Sequence, residues 1–126
     1  MANPVLWFEV LGKDGKALRK FYSSLFGWEV KVADPSGETD YWMVTAGDGG
    51  IGGGIGTNPD GGPGFATFYV EVDDPNAFLS RAEKLGGKMI VPVSVVPAFG
   101  LTYARFAAPK GHVIGVSKGM AQAAAA

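Results

Sequence analysis

The sequence predicts an α+β fold built from two similar βαβββ modules. Short segments in which apolar and polar residues alternate, as they do in half-buried strands, make up most of the chain. Two amphipathic segments interrupt them, and each follows an aspartate and ends at a glycine, which are helix start and stop signals. An offset of sixty residues relates the two, since Asp14 corresponds to Asp74 and Gly27 to Gly87. A chance likeness of two ordinary α+β segments is the alternative.

The first module covers residues 4–56. Strands are predicted at 5–11, 28–32, 41–46 and 51–56, and the last of them is rich in glycine. A helix begins after Asp14, which can cap it, and ends at Gly27. Its apolar face is strongly aromatic and consists of Ala17, Leu18, Phe21, Tyr22, Leu25 and Phe26. We therefore expect this face to pack on a large apolar surface.

The second module covers residues 65–117 and follows a glycine- and proline-rich linker at 57–64. Its helix begins with Asp74 and Pro75, and its predicted apolar stripe is Ala77, Phe78, Ala82 and Leu85. Strands are predicted at 65–72, 88–96, 101–107 and 112–117. Pro92 makes the second of these an edge or bulged strand. Residues 118–126 form an alanine-rich tail with no assigned function, and the whole chain is predicted to be one domain.

Composition excludes several classes of function. The formal net charge of -1 and the absence of a basic run give no electrostatic surface for nucleic acid or an anionic membrane. No apolar run is long enough to span a membrane, and the first residues lack the features of a signal peptide. There is no cysteine for a disulfide or a thiolate metal site. We expect a cytoplasmic protein.

The alternation also predicts which side chains line a cleft. Two sheets placed side by side would curve around it, with both helices outside. The cleft set contains Trp7, Glu9, Thr67, Tyr69 and Glu71. A charged Arg105 does not suit the apolar space under a helix, so we expect Ala104 and Phe106 on the helix side and Tyr103 and Arg105 facing the cleft.

Several motifs together resemble a known superfamily. They are FEV near the N-terminus, KALRKFYSSLFGWEV, GGIGGGI, FYVEVDD and APKGHVIGV, and they span Val5 to Val116. They are similar to the vicinal-oxygen-chelate superfamily, which contains glyoxalases, bleomycin-resistance proteins and extradiol dioxygenases. The resemblance implies a cup-shaped mixed sheet with helices outside, and dimers. In the enzymes it implies a divalent metal held by His, Glu or Gln on the first and last strand of each module.

Carrying those ligand positions over gives Trp7, Ile55, Thr67 and Gly115. None of these residues is a normal ligand for a catalytic divalent ion. We therefore expect no metal and no other cofactor. Another α+β domain with two similar halves is the alternative to the resemblance.

Glu9 is the candidate for chemistry. It could act as a general base or a substitute metal ligand, or it could simply pair with Arg105 or remain hydrated. Glu71 lies near a strand end and is expected to be solvated. His112 is the single histidine and is read as a surface residue at a turn. The run Gly52–Gly54 lacks the lysine and helix of a phosphate loop, so nucleotide binding is rejected.

The predicted function is metal-free binding of a small molecule, for sequestration or sensing, by a homodimer. The expected partner is partly apolar or aromatic, and the ligand-binding residues are Trp7, Glu9, Thr67, Tyr69, Tyr103 and Arg105. The alternative is a lyase, isomerase or dioxygenase-type enzyme, possibly metal-dependent, with Glu9 as its catalytic residue. In a third reading, the aromatic rings fill the cleft and nothing binds there.

Overall fold

The structure is a computed structural model that describes residues 2–33, 40–45, 47–58 and 61–120. The chain divides into two compact units. The first unit is Trp7–Ala66, and the second consists of Met1–Leu6 with Thr67–Ala126. Parts of three predicted features lie outside the described residues: position 46 of the strand predicted at 41–46, positions 59–60 of the linker and positions 121–126 of the tail.

The α+β class and the two βαβββ modules are confirmed. The first module contains β1 (Val5–Gly12), α1 (Gly15–Phe26), β2 (Val30–Val32), β3 (Tyr41–Val44) and β4 (Gly52–Thr57). The second contains β5 (Phe65–Glu71), α2 (Pro75–Lys84), β6 (Lys88–Val96), β7 (Leu101–Ala107) and β8 (Val113–Lys118). A short 3-10 helix at Pro97–Phe99, which the sequence did not predict, joins β6 to β7. No helix in the described ranges is long and apolar enough to cross a membrane.

The strands of the two modules pair in the same order. In the first module the order is β2-β3-β4-β1, with β4 parallel to β1 and antiparallel to β3. In the second it is β6-β7-β8-β5, with β8 parallel to β5 and antiparallel to β7. The pairing of β6 with β7 shifts register on both sides of Val91, next to Pro92. The predicted bulged edge strand is therefore confirmed.

The predicted helix starts are confirmed. The side chain of Asp14 accepts a hydrogen bond from the Ala17 amide at 3.1 Å, and that of Asp74 accepts one from the Ala77 amide at 3.3 Å. Each bond satisfies one of the amides that a first helical turn leaves without a partner. Gly27 ends α1 with a left-handed backbone, at a φ of 70°. The sequence signals thus place both helices correctly at their N-terminal ends.

The predicted burial of the aromatic face of α1 is wrong at Phe21, Leu25 and Phe26, whereas Leu18 and Tyr22 are half-buried. Gly15 is the buried residue of this helix, whereas Phe21, Leu25 and Phe26 are each more than half exposed. The helix meets β4 at its first turn, where the Gly15 amide donates to Thr57 Oγ1 at 3.0 Å. A Cβ at Gly15 would lie 2.7 Å from the Thr57 nitrogen, so only glycine permits this approach.

Aromatic rings beside α1 pack on one another instead. Trp28, just after the helix, lies 6.0 Å from Tyr22 and 5.0 Å from Phe26 between ring centroids. Phe8 of β1 contacts the same indole at 5.3 Å. The result is a cluster that is partly open on its outer side.

The apolar stripe predicted for α2 is displaced by one residue. Leu79 is buried with Val72, Ala104 and Val116, and Phe78 packs against this core from its edge. Leu85, which the stripe included, is 75% exposed. Leu85 lies just beyond α2 as its C-cap residue, so the periodicity of the helix does not direct its side chain toward the sheet.

Candidate functional site

A hydrogen-bonded chain of three side chains lies in the first unit. The Trp7 indole N–H donates to the Tyr41 hydroxyl at 3.2 Å, and that hydroxyl donates to Glu9 Oε2 at 2.8 Å. Trp7 is 4% exposed and Glu9 is 8% exposed. A carboxylate with so little contact with water needs hydrogen-bond donors, and Tyr41 supplies one.

The glycines of β4 make this chain possible. Glu9 pairs with Gly54 across the parallel strands, and Tyr41 pairs with Gly56 on the other side of β4. A Cβ built on Gly54 would overlap the Tyr41 hydroxyl. Since the glycine leaves this space open, the Tyr41 ring crosses β4 and reaches β1. Tyr41 was missed from the sequence because it lies far from Trp7 and Glu9 along the chain.

The predicted ligand position at Ile55 is corrected to Gly54. Ile55 pairs with Val10 and is fully buried, on the face opposite to Glu9. In the second unit Gly115 pairs with Tyr69, which lies sixty residues after Glu9. The first-unit equivalent of Gly115 is therefore the partner of Glu9, which is Gly54. The offset between corresponding positions of the two modules is therefore one residue larger at β4 than at the helices. A shift of one residue moves a strand side chain to the opposite face of the sheet.

Tyr69, Tyr103 and Arg105 share one face of the second unit, as predicted. Across the strands, Gly115 pairs with both Tyr69 and Arg105. The rings of Tyr69 and Tyr103 meet edge to face with centroids 6.3 Å apart. Tyr69 is 3% exposed, and its ring fills the space that a side chain at position 115 would need. Ala104 points to the opposite face and joins the core under α2.

Two other predicted residues have structural partners. The Thr67 hydroxyl donates to the Val113 carbonyl at 2.6 Å, which ties β5 to the start of β8. The prediction that Glu71 is solvated is wrong. Its carboxylate accepts hydrogen bonds from the Ser117 hydroxyl at 3.0 Å and from the amides of Gly119 at 3.0 Å and Met120 at 3.3 Å. Glu71 thus holds the chain that leaves β8.

The structure joins the predicted residues within each unit. Trp7 and Glu9 meet through Tyr41 in the first unit, and Tyr69, Tyr103 and Arg105 lie together in the second. The pairing of Glu9 with Arg105 stays a prediction.

His112 is exposed, and its carbonyl accepts a hydrogen bond from the Ala108 amide at 2.8 Å in the turn before β8, so its surface position is confirmed.

The family-type metal positions do not suit a divalent ion. They hold Trp7, Gly54, Thr67 and Gly115, and an indole N–H can only donate. The spaces beside the two glycines are taken by the rings of Tyr41 and Tyr69. Across the described ranges, no group of three or more His, Cys, Asp or Glu side chains is placed to hold a metal. The donor set therefore does not fit the metal that the resemblance implies for enzymes.

Comparison with known proteins identifies relatives for nearly the whole chain. Residues 5–116 match the family model of the Glyoxalase/Bleomycin resistance protein/Dioxygenase superfamily. The chain is 29% identical over 125 residues to the anthracycline biosynthesis protein DnrV of Streptomyces peucetius, covering 87% of this chain and 45% of that protein. The chain thus spans less than half the length of the curated relatives that it matches.

Solved structures share the fold. A Mn(II)-bound glyoxalase from Novosphingobium aromaticivorans superposes with a TM-score of 0.65 at 17% identity, over 94% of this chain and 40% of that one. Methylmalonyl-CoA epimerase from Streptomyces coelicolor, in complex with 2-nitronate-propionyl-CoA, gives 0.59 at 16% identity, over 94% and 95% of the two chains. At these identities the likeness concerns the fold alone.

Proposed function

Because the chain belongs to the Glyoxalase/Bleomycin resistance protein/Dioxygenase superfamily, we propose that it binds a small, partly apolar molecule without a metal ion. The binding would serve sequestration or sensing. One observation carries the proposal: the four positions that correspond to metal ligands hold Trp7, Gly54, Thr67 and Gly115. Two of them have no side chain, one can only donate a hydrogen bond, and the threonine hydroxyl already donates to Val113.

The ligand chemistry follows from the side chains around those positions. The proposed ligand contacts are Trp7, Glu9, Thr67, Tyr69, Tyr103 and Arg105. Aromatic rings favour a flat apolar body, and a carboxylate and a guanidinium can orient its polar groups. The name of DnrV supports this choice, because anthracyclines are flat, fused-ring compounds with polar substituents.

A homodimer in the cytoplasm is part of the same proposal. Phe21, Leu25 and Phe26 of α1 are 57%, 59% and 56% exposed. Monomeric proteins rarely expose large contiguous apolar patches, so this helix face is a candidate surface for a second copy of the chain. The resemblance to a family of dimers supports the same reading.

Titration with daunorubicin in the presence of EDTA tests the proposal. This anthracycline is fluorescent, so its polarisation reports binding directly. We expect saturable binding, a raised melting temperature and a lower affinity in Tyr103→Leu and Arg105→Gln. Tyr22→Leu is the matched control, because Tyr22 is also a half-buried tyrosine but belongs to the ring cluster beside α1. Failure of daunorubicin and of a panel of flat aromatic carboxylates to bind, or binding only after metal is added, would contradict the proposal.

A second candidate function is an enzyme of the lyase, isomerase or dioxygenase type that uses Glu9. The observation that favours it is the buried carboxylate of Glu9, which faces a phenol hydroxyl at 2.8 Å. Such a pair could accept a proton from a bound substrate and pass it on. Glu9→Gln separates the candidates. An enzyme would lose turnover of its ligand while keeping most of its affinity, whereas a binding protein would lose affinity only.

A further inference from the structure

An open cavity lies in the second unit, on the face that carries α2. Its volume is about 1310 Å³. Val72, Phe106 and Val116 line it from the sheet, and Phe78, Ala82 and Leu85 line it from α2. Strand pairing places it away from the candidate site, since Val116 is the neighbour of Gly115 in β8 and therefore points to the opposite face.

The cavity is open to solvent, because exposed side chains of α2 and β8 stand along its rim. Ligand pockets span about 300–1,000 Å³, so this space is ample for a small molecule. Leu85 lines the cavity and is nevertheless 75% exposed, so an apolar side chain stands at its mouth.

Two cationic side chains of the lining can pair with an anionic group. Arg81 and Lys118 line the cavity, and neither forms an ion pair within the part of the chain that the structure describes. The Arg81 guanidinium lies 5.7 Å from the centre of the Phe78 ring, which places it beside the apolar wall.

Two carboxylates also line the cavity, and one of them already accepts hydrogen bonds from the protein. Glu71 accepts hydrogen bonds from Ser117, Gly119 and Met120, and these neutral donors engage its oxygens but leave its negative charge in place. Asp73 is exposed to water. The formal charges of the lining therefore balance, and Arg81 and Lys118 are the lining groups that can receive the carboxylate of a ligand.

From these observations we propose that the cavity beside α2 binds an amphipathic carboxylate. Its apolar body lies against Phe78, Phe106 and Val116, and its carboxylate pairs with Arg81 and Lys118. The chemical class is a short- or medium-chain fatty acid or an aryl-alkyl carboxylate. This site does not depend on the ligand proposed above, because it uses other residues on the other face of the sheet.

Octanoate and 1-octanol are suitable probes, because they differ only in the charged end. We expect octanoate to shift the amide NMR signals of Ala82, Gly87, Phe106 and Gly119 saturably, and octanol to bind about tenfold more weakly. Arg81→Gln and Lys118→Gln should each weaken octanoate about three- to tenfold and leave octanol unchanged. Lys84→Gln is the control, because Lys84 is an exposed lysine of the same helix that does not line the cavity.

Several results would overturn the proposal. They are the absence of saturable shifts, equal affinity for octanol, an equal loss in Lys84→Gln, or octanoate shifts centred on Tyr69, Tyr103 and Gly115. The last result would place the carboxylate at the face proposed for the other ligand. Daunorubicin shifts mapped in the same way test the other proposal separately, so the failure of one is distinguishable from the failure of the other.

Discussion

Tyr41 gives the buried Glu9 a hydrogen-bond donor, and it also accepts one from Trp7. Removing its hydroxyl by Tyr41→Phe leaves a nearly buried carboxylate with one donor fewer. We expect a loss of about 1–3 kcal/mol in the free energy of unfolding, measured by urea denaturation. Tyr22→Phe is the control, since within the described residues the Tyr22 hydroxyl forms no hydrogen bond. Equal stability of the two variants would show that Tyr41 does not support Glu9.

Gly54 is the residue that allows the Tyr41 ring to cross β4. A methyl group at this position would overlap the Tyr41 hydroxyl, so Gly54→Ala must displace the ring or the strand. We expect a loss of about 1–3 kcal/mol in denaturation, as for other overpacked sites. Gly47→Ala should be nearly neutral, because nothing lies within 4 Å of a Cβ there. A neutral Gly54→Ala would mean that Tyr41 does not take this path.

Single residues also mark the limit of prediction from the sequence. The alternation of side chains along β7 correctly predicted that Tyr103 and Arg105 share one face, because this alternation is a local property of a strand. Ile55 was placed on the wrong face because the offset of sixty, which holds for the helices, changes by one at β4. Tyr41 could not be found at all, since its contact with Glu9 depends on the pairing of three strands.

Among the elements, α2 shows most clearly which residue forms the core. Leu79 of α2 is 7% exposed, whereas Leu85, the C-cap residue just after the helix, is 75% exposed. We expect Leu79→Ala to cost about 2–5 kcal/mol of unfolding free energy, and Leu85→Ala to stay within about 0.5 kcal/mol. Thermal or urea denaturation of both variants measures the difference. A larger loss of unfolding free energy in Leu85→Ala than in Leu79→Ala would contradict this assignment and support the apolar stripe predicted from the sequence.

The helices also show why local signals succeed where burial fails. Asp14, Asp74 and Gly27 act within one turn of their own helix, so the sequence is enough to recognise them. Whether Phe21 or Leu25 is covered depends on what packs against α1. The helix contacts β4 through Gly15, a small residue that hydrophobic periodicity does not count.

At the scale of the whole molecule, the exposed apolar face of α1 predicts self-association. We expect sedimentation velocity to show a dimer, and the double variant Phe21→Ser with Leu25→Ser to move it toward the monomer. Because both side chains are more than half exposed, stability of the folded monomer should change little. Leu85→Ser removes a comparably exposed apolar residue elsewhere and should leave the dimer intact. A monomer at every concentration would refute this prediction.

Metal binding by the tag-free chain tests the central claim most directly. Elemental analysis of the purified protein is followed by calorimetric titration with nickel, manganese, iron(II) and zinc. Since Trp7, Gly54, Thr67 and Gly115 offer no suitable set of donors, we predict that no ion binds tightly at one per chain. Tight binding of one ion per chain, abolished by Glu9→Gln, would contradict the claim and make a metal-dependent enzyme the leading function.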